Sequence, residues 1–305
     1  IGAFMVCAAL IILVGATGWF ERVMNHIPMA IAAALLAACL RALQATRDLQ
    51  AGMATAALLV ACLLVSLLPA AYAPTSLRAP LSVTLVQGNI AQDQKFQAGT
   101  GVRDALTFYA EQLQAAQTSL IVLPETALPL LPAQLPAGYW AAIAQRFASG
   151  QQAALIGLPI GSAQEGYSNA VLGLKPGAPT YRYEKHHLVP FGEFVPPFFQ
   201  WFIRMMNIPL GDFNRGPLVQ TALEWQGERL APNICYEDLF GEEIGAQFKD
   251  AARAPTVLVN VSNIAWFGNT VAIDQHLNIS RMRALEFARP MLRAPNTGAT
   301  VVIDA

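Results

Sequence analysis

Ser119-Leu-Ile-Val-Leu-Pro-Glu125 is a short apolar run that closes on a carboxylate. Two further stretches end in a similar way. Tyr181-Arg-Tyr-Glu-Lys185 closes on an ammonium group, and Leu230-Ala-Pro-Asn-Ile-Cys-Tyr-Glu237 carries a thiol after its apolar residues. Short runs rich in β-branched, aromatic and other apolar residues are typical of strands. We therefore expect Glu125, Lys185 and Cys235 to lie at strand ends.

These three groups match three parts of acyl-transfer chemistry. A carboxylate can take a thiol proton, a thiolate can attack a carbonyl carbon, and an ammonium can hold the oxyanion that forms. Taken singly, a cysteine after an apolar stretch is usually buried and inert, and a strand-end charge is usually solvated. Together they favour a covalent thiol enzyme, in which the Lys185 ammonium is expected to lower the pKa of Cys235 toward neutrality.

From Leu81 onward, strand-like runs alternate with helical stretches. Strands are expected at 82–86, 120–123, 154–158, 170–174, 229–234, 256–261 and 300–304. Helices are expected at 102–117, 140–148 and 276–289. This alternation predicts an α/β layered fold with buried sheets.

Composition excludes several classes of protein. The chain has 305 residues, a net charge of −1 and no Lys/Arg-rich run, so nucleic acid is not an expected partner. Cys235 is the only one of the four cysteines outside the apolar N-terminal segments, which excludes a disulfide framework in the globular part. Neither the cysteines nor the histidines have the spacing of metal ligands. We expect no metal and no other cofactor.

Residues 1–73 differ from the rest of the chain because they contain only five charged side chains. Apolar segments lie at roughly 3–20, 27–40 and 52–72, and the first and third approach the ~20 residues that span a bilayer. The middle segment is shorter and fits either a core helix or an incomplete span. The sequence thus predicts a transmembrane segment at 1–73 and a globular domain at 80–305.

The charges in the links between these segments predict an orientation. Arg41 and Arg47 lie between the second and third segments, and the positive-inside rule places them in the cytoplasm. The third segment then delivers the globular domain to the opposite side of the membrane, the periplasm. Within that domain, residues 194–210 are dense in aromatic side chains and methionine. They favour a loop that dips into lipid or a lid over an acyl pocket, with an ordinary buried loop as the alternative.

Several motifs carry a resemblance to a known family. They are Val86-Gln-Gly-Asn-Ile90, Leu123-Pro-Glu-Thr126, Tyr183-Glu-Lys-His-His-Leu-Val-Pro-Phe-Gly-Glu-Phe-Val-Pro196, Ile234-Cys-Tyr-Glu237, Ala265-Trp-Phe-Gly268, Gln275-His-Leu277, Arg281-Met-Arg-Ala-Leu-Glu286 and Asn296-Thr-Gly298. Together they resemble the nitrilase superfamily. Within that superfamily they closely resemble its membrane branch, the apolipoprotein N-acyltransferases. The resemblance covers about residues 50–305.

The resemblance implies a nitrilase-like α-β-β-α sandwich preceded by transmembrane helices, in the bacterial inner membrane and facing the periplasm. It implies a catalytic triad of Glu125, Lys185 and Cys235. The implied acyl donor is a phospholipid, and the acyl chain passes through a thioester on Cys235. The implied acceptor is the N-terminal amine of a diacylglyceryl-modified apolipoprotein.

The same resemblance assigns supporting residues and shows departures from the family. Glu193, Tyr236 and Glu237 are expected to shape the site, and Trp266 to line the substrate cleft. Ile264 stands where the family has an aspartate. The globular domain is expected to be truncated at its C-terminus.

Residues 1–40 resemble a benzoate-type membrane transporter, and this leaves two alternatives open. One is a nitrilase-like amidase, which needs the same triad but no access to lipid. The other is an inactive fusion of a transporter with an acyltransferase.

Overall fold

The computed structural model describes residues 80–91, 101–190, 192–194 and 213–304. Ten strands in these residues form two five-stranded sheets. The first sheet has the order β1 (Val83–Leu85), β2 (Leu120–Val122), β3 (Ala153–Ser162), β4 (Gly166–Leu174) and β5 (Tyr181–Glu184). The second has β6 (Leu223–Trp225), β7 (Glu228–Ile234), β8 (Val257–Ser262), β9 (Met291–Pro295) and β10 (Val301–Ile303).

Both sheets are mixed. β1, β2 and β3 run parallel, whereas β4 and β5 are antiparallel to their neighbours. In the second sheet β7, β8 and β9 run parallel, and β6 and β10 close the edges as antiparallel strands. The helices are α1 (Gly101–Ala115), α2 (Tyr139–Ser149), α3 (Gly241–Gly245) and α4 (Ala272–Phe287).

Alternation along the strands builds the layers, because successive side chains of a strand point to opposite faces. In β2, Leu120 and Val122 pack between the two sheets, whereas Ile121 packs beneath α1 and α2. In β8, Val259 packs between the sheets and Leu258 packs against the helices of the second sheet. Helices therefore cover the outer face of each sheet. The expected α/β fold with an α-β-β-α order of layers is confirmed.

The structure also corrects the expected elements. Two strands, β6 and β9, were not expected, because each is short and interrupted by a charged residue. Helix α4 begins at Ala272 and ends at Phe287 instead of extending to Arg289. It ends there because Ala288 adopts a left-handed conformation with φ 47°.

The expected transmembrane segment at 1–73 lies outside the described residues, and so do residues 195–210 of the aromatic stretch. Among the helices of residues 80–304 that are described, none combines the length and the hydropathy needed to cross a membrane.

Candidate active site

Glu125 follows β2 at the carboxyl edge of the first sheet and is buried. Its segment lies directly against β3 at Gly157. A Cβ atom at Gly157 would collide with the carbonyl oxygen of Pro124 and would lie only 2.9 Å from Glu125 Cα and Thr126 N. Only a glycine in β3 therefore allows the backbone of Glu125 to lie where it does.

Lys185 follows β5 and is fully buried. Its backbone N–H donates to the carbonyl of Asn169 in β4 at 2.8 Å, which continues the pairing of the two strands. Its Nζ lies 3.4 Å from Glu125 Oε1 and 3.0 Å from Glu193 Oε1. One ammonium group is thus shared by two carboxylates.

The two carboxylates are held by further donors. Asn169 Nδ2 donates to Glu125 Oε1 at 2.7 Å and to Glu193 Oε1 at 2.8 Å. The Oε2 atom of each carboxylate accepts from a backbone N–H. Asn263 N donates to Glu125 Oε2 at 2.7 Å, and Val189 N donates to Glu193 Oε2 at 2.9 Å. Each carboxylate is therefore fixed in orientation by both of its oxygens, which leaves little freedom for side-chain rotation.

Cys235 lies where β7 ends and a short 3-10 turn, Cys235–Leu239, begins. It has φ 57°, in the left-handed region that a non-glycine residue adopts only where its surroundings hold it there. Its carbonyl oxygen accepts from Asn260 Nδ2 at 2.8 Å. Cys235 is partly exposed, and the charges of Glu125 and Lys185 both act on its thiol.

Electrostatics sets the resting protonation states of the thiol and the ammonium. Burial raises the pKa of the Cys235 thiol, the Glu125 carboxylate raises it further, and the Lys185 ammonium opposes both. Burial alone lowers the pKa of Lys185, but the negative charges of Glu125 and Glu193 outweigh it, so this pKa lies above its usual value.

The expectation that Lys185 brings the pKa of Cys235 toward neutrality is therefore wrong. The ammonium does lower this pKa, but burial of the thiol raises it, and Glu125 and Glu193 add two negative charges against the single positive one. The resting group is a thiol, which needs a base at the moment of attack.

Glu237 ties the turn of Cys235 to the segment of Lys185. Its Oε1 accepts from the backbone N–H of His186 at 2.7 Å and of His187 at 3.0 Å. Its Oε2 accepts from Ile234 N at 2.6 Å and from the Tyr183 hydroxyl at 2.9 Å. A buried carboxylate with four donors acts here as a structural link between the two sheets.

The other expected support residues also lie around the turn. The Tyr236 hydroxyl donates to Leu188 O at 2.8 Å, and the Tyr236 ring lies 5.8 Å from Lys185 Nζ, within cation–π range. Trp266 lies in the turn Ala265–Phe267 that follows β8. Its place along the substrate cleft stays a prediction.

Ile264, the residue that departs from the family pattern, is buried. Gly298 lies close to it, because a Cβ atom there would lie 2.8 Å from Ile264 Cδ1. The backbone of its neighbour Asn263 nevertheless still donates to Glu125. The missing acidic side chain therefore does not remove this contact.

The sequence did not indicate Asn169 or Asn263 as parts of the site. Asn169 lies in β4, directly before the apolar run Ala170–Leu174. The available signal was a polar side chain in a strand that is otherwise apolar here, since a buried amide requires hydrogen-bond partners. Over the described ranges 80–91, 101–190, 192–194 and 213–304, no three His, Cys, Asp or Glu side chains are grouped closely enough to hold a metal ion.

Residues 82–305 match the model of the carbon-nitrogen hydrolase family. The chain belongs to this family. Residues 1–98 separately match the model of benzoate membrane transport proteins, which confirms the resemblance at residues 1–40 and indicates a membrane protein.

Curated relatives narrow the resemblance within the family. An apolipoprotein N-acyltransferase of Verminephrobacter eiseniae is 66% identical over 226 residues, which cover 73% of this chain and 42% of that protein. One of Ralstonia nicotianae is 51% identical over 225 residues, covering 73% of this chain and 43% of that protein. The chain thus spans less than half the length of these relatives.

Solved structures agree with the fold. A CN-hydrolase superfamily protein of Xanthomonas campestris, with an arsenic adduct in its active site, has a TM-score of 0.54 at 19% identity and covers 73% of this chain and 82% of that one. A glutamine-dependent NAD+ synthetase of Acinetobacter baumannii has a TM-score of 0.51 at 14% identity, covering 73% of this chain and 41% of that one. At such identities the likeness concerns the fold alone.

Proposed function

We propose that the chain is an N-acyltransferase that moves an acyl chain from a phospholipid, through a thioester on Cys235, to the N-terminal amine of an apolipoprotein. The observation that carries this proposal is that Glu125 and Lys185, whose charged groups lie 3.4 Å apart, both act on the thiol of Cys235, a partly exposed residue. The 66% identity to an apolipoprotein N-acyltransferase supports the choice of substrates.

In the first half of the proposed reaction, the Glu125 carboxylate takes the thiol proton while the Cys235 sulfur attacks the carbonyl carbon of the phospholipid ester. The oxyanion that forms is stabilised by the Lys185 ammonium. When the intermediate collapses, the C–O bond of the ester breaks, and Glu125 returns the proton to the leaving oxygen. The products are a lysophospholipid and a thioester on Cys235.

In the second half, the α-amine of the diacylglyceryl-modified N-terminal cysteine of the apolipoprotein attacks the thioester carbonyl. Glu125 takes a proton from the attacking nitrogen, Lys185 again holds the oxyanion, and the C–S bond breaks. The leaving thiolate recovers the proton from Glu125. A thioester is a better acyl donor to an amine than the original ester, so two steps replace one difficult step.

The remaining side chains have supporting roles in this proposal. Glu193 shares Lys185 with Glu125 and keeps the ammonium in place. Tyr236 and Glu237 hold the turn that carries the nucleophile, through Leu188 O and through the Lys185 segment. Trp266 lines the cleft.

The proposed setting is the bacterial inner membrane, with residues 1–73 as a transmembrane segment and residues 80–305 as the catalytic domain on the periplasmic side. Apolar surroundings would suppress hydrolysis of the thioester.

The test is transfer of label from a phospholipid with a radioactive acyl chain to the purified full chain in detergent. We expect a label that hydroxylamine releases, as it does from thioesters, and that appears on a diacylglyceryl lipopeptide when this acceptor is added. Cys235→Ala should abolish the label, whereas Cys62→Ala, a matched change in the N-terminal apolar segment, should retain it.

Label that persists in Cys235→Ala would overturn the assignment of the nucleophile. Release of ammonia from small amides, without any transfer from phospholipid, would instead favour the nitrilase-like amidase. A chain whose Cys235 reacts with neither substrate would support the inactive fusion of a transporter with an acyltransferase.

A further inference from the structure

A row of three polar side chains crosses the second sheet below the nucleophile. Asn233 of β7 is in register with Asn260 of β8, which is in register with Arg293 of β9. Asn260 Nδ2 donates to Asn233 Oδ1 at 2.7 Å, and Arg293 Nη1 donates to Asn260 Oδ1 at 3.1 Å. Strand alternation places the row on the same face as Leu258 and Met291, which is covered by α4.

One end of this row reaches the nucleophile itself. The second hydrogen of Asn260 Nδ2 is donated to the carbonyl oxygen of Cys235 at 2.8 Å. Because Cys235 has φ 57°, the direction of its carbonyl is part of an uncommon backbone conformation. A donor fixed by Arg293 on its far side can hold that conformation in place.

The other end of the row reaches the same turn by a second route. Arg293 Nη1 lies 2.7 Å from Ser280 Oγ and 2.8 Å from His276 Nδ1, both on α4. The Ser280 hydroxyl donates to Asp238 Oδ2 at 2.6 Å. Asp238 is three residues after Cys235 and lies in the same turn. Arg293 is therefore connected to both ends of the turn that carries the thiol.

Burying these polar and charged side chains costs hydration free energy, so the network is not an efficient way to stabilise the fold. Arg293, Asn260, Ser280 and Asp238 all have no exposed surface, and Arg293 Nη1 lies 3.7 Å from Asp238 Oδ2. Buried ion pairs are often no more stabilising than apolar side chains of similar volume, because both charges lose their hydration. What a polar network provides and an apolar one does not is direction, since each hydrogen bond fixes an angle as well as a distance.

We propose that Arg293 is a positioning residue for Cys235, which acts through Asn260 on the carbonyl of the nucleophile and through Ser280 and Asp238 on the far end of its turn. This inference rests on the proposed function, because it assigns a role within the same acyl transfer. Arg293 touches neither substrate nor reacting atom. It keeps the turn in the one conformation that presents the thiol to Glu125 and Lys185.

The test compares Arg293→Met with Arg281→Met, an identical change at an exposed arginine of α4 that contacts Asn278. Thioester formation from labelled phospholipid is measured in single turnovers on the full chain in detergent. We expect Arg293→Met to lower the maximal rate by about 10- to 100-fold, with the half-saturating phospholipid concentration unchanged. Arg293→Lys, whose ammonium can still donate to Asn260 and Ser280, should recover part of the rate. Arg281→Met should behave as the unchanged chain.

A second measurement does not depend on acyl transfer. Hydrogen exchange followed by mass spectrometry should show faster exchange of the peptide that contains Cys235–Leu239 in Arg293→Met and in Asn260→Ser, with the peptide of β3 unchanged as an internal reference. Equal exchange in the turn of Arg293→Met and the unchanged chain would overturn the positioning role. An unchanged chain that forms no thioester, together with faster exchange in the variant, would overturn the proposed function and leave the positioning role standing.

Discussion

At the scale of single residues, the site depends on positions where one added methyl group or one lost charge would change its geometry or its electrostatics. Gly157 is such a position, since β3 approaches the backbone of Glu125 too closely for any side chain. Lys185 is another: burial raises the pKa of the Cys235 thiol, and the single ammonium, shared by two carboxylates, does not reverse this shift. In the proposed reaction Glu125 therefore has to act as a base for each attack, and its position matters as much as its charge.

Gly157→Ala tests this dependence on position. The added methyl group would collide with the carbonyl oxygen of Pro124, so the backbone of Glu125 has to move. We expect the free energy of unfolding to fall by about 1–3 kcal/mol, the usual range for overpacking. We also expect thioester formation to be lost well beyond what this loss of stability explains. Denaturant unfolding and labelled-phospholipid transfer measure the two effects.

Gly245→Ala is the matched control for this substitution. Gly245 has φ −59°, and the nearest atom to its added Cβ lies 3.5 Å away, in ordinary contact. Its unfolding and its transfer rate should match those of the unchanged chain. Normal transfer in Gly157→Ala would show that the segment of Glu125 tolerates displacement.

At the scale of elements, the packing of α4 against the turn Cys235–Leu239 brings together two titratable groups, Asp238 and His276, whose pKa values shift in opposite directions. Burial raises the pKa of Asp238 to about 7, although its bond from Ser280 partly opposes this. Burial and the nearby charge of Arg293 together lower the pKa of His276 to about 4. Both groups are therefore neutral in the folded chain over a range in which both are charged when the chain is unfolded.

These two pKa shifts act on stability in opposite directions. Between about pH 4 and 7, the folded state holds a proton on Asp238 that the unfolded state has lost, so this residue lowers stability as the pH rises. Between about pH 4 and 6.5, the unfolded state holds a proton on His276 that the folded state lacks, so this residue raises stability as the pH rises. The two contributions largely cancel in the unchanged chain.

Single substitutions should reveal how each of the two groups contributes to the pH dependence of stability. In Asp238→Asn only His276 remains, and we expect the melting temperature to rise from pH 4 to 6.5. In His276→Gln only Asp238 remains, and we expect the melting temperature to fall from pH 4 to 7. Thermal melts of the full chain in detergent, buffered at half-unit steps, give both curves. Two variants with parallel curves would contradict the opposed shifts.

At the scale of the whole molecule, the layer between the two sheets fixes the relative positions of the proposed catalytic groups. Glu125 and Lys185 follow strands of the first sheet, and Cys235 follows a strand of the second. The apolar side chains that join the sheets, including Leu155 and Val259, are fully buried. The separation of the thiol from its base is therefore set by sheet packing, which tolerates little change in volume.

Leu155→Ala removes volume from this layer. We expect the free energy of unfolding to fall by about 2–5 kcal/mol, since burial is lost and a cavity remains. The matched control is Val302→Ala in the edge strand β10, where the side chain is 63% exposed and the change should stay within about 0.5 kcal/mol. Denaturant unfolding of both variants in the same detergent compares them. Equal losses would mean that the inter-sheet layer is not the principal core.

The sequence by itself determined the class of fold and most of its strands, and it indicated Glu125, Lys185 and Cys235 as candidate site residues. Strand periodicity and the motifs around Glu125, Lys185 and Cys235 involve residues close together in the chain, so they can be recognised in the sequence alone. The short strands β6 and β9 were not predicted, because their pairing with neighbouring strands, more than their composition, makes them strands.

Only the tertiary structure decided how these residues act on one another. Asn169 joins Glu125 to Glu193 across 44 and 24 residues of chain, and Arg293 reaches the turn of Cys235 through Asn260. The same packing reversed the expected pKa shift of the thiol. The physical reason is that desolvation and Coulomb interactions depend on distances in space, which residues far apart in the chain acquire only when the sheets have packed.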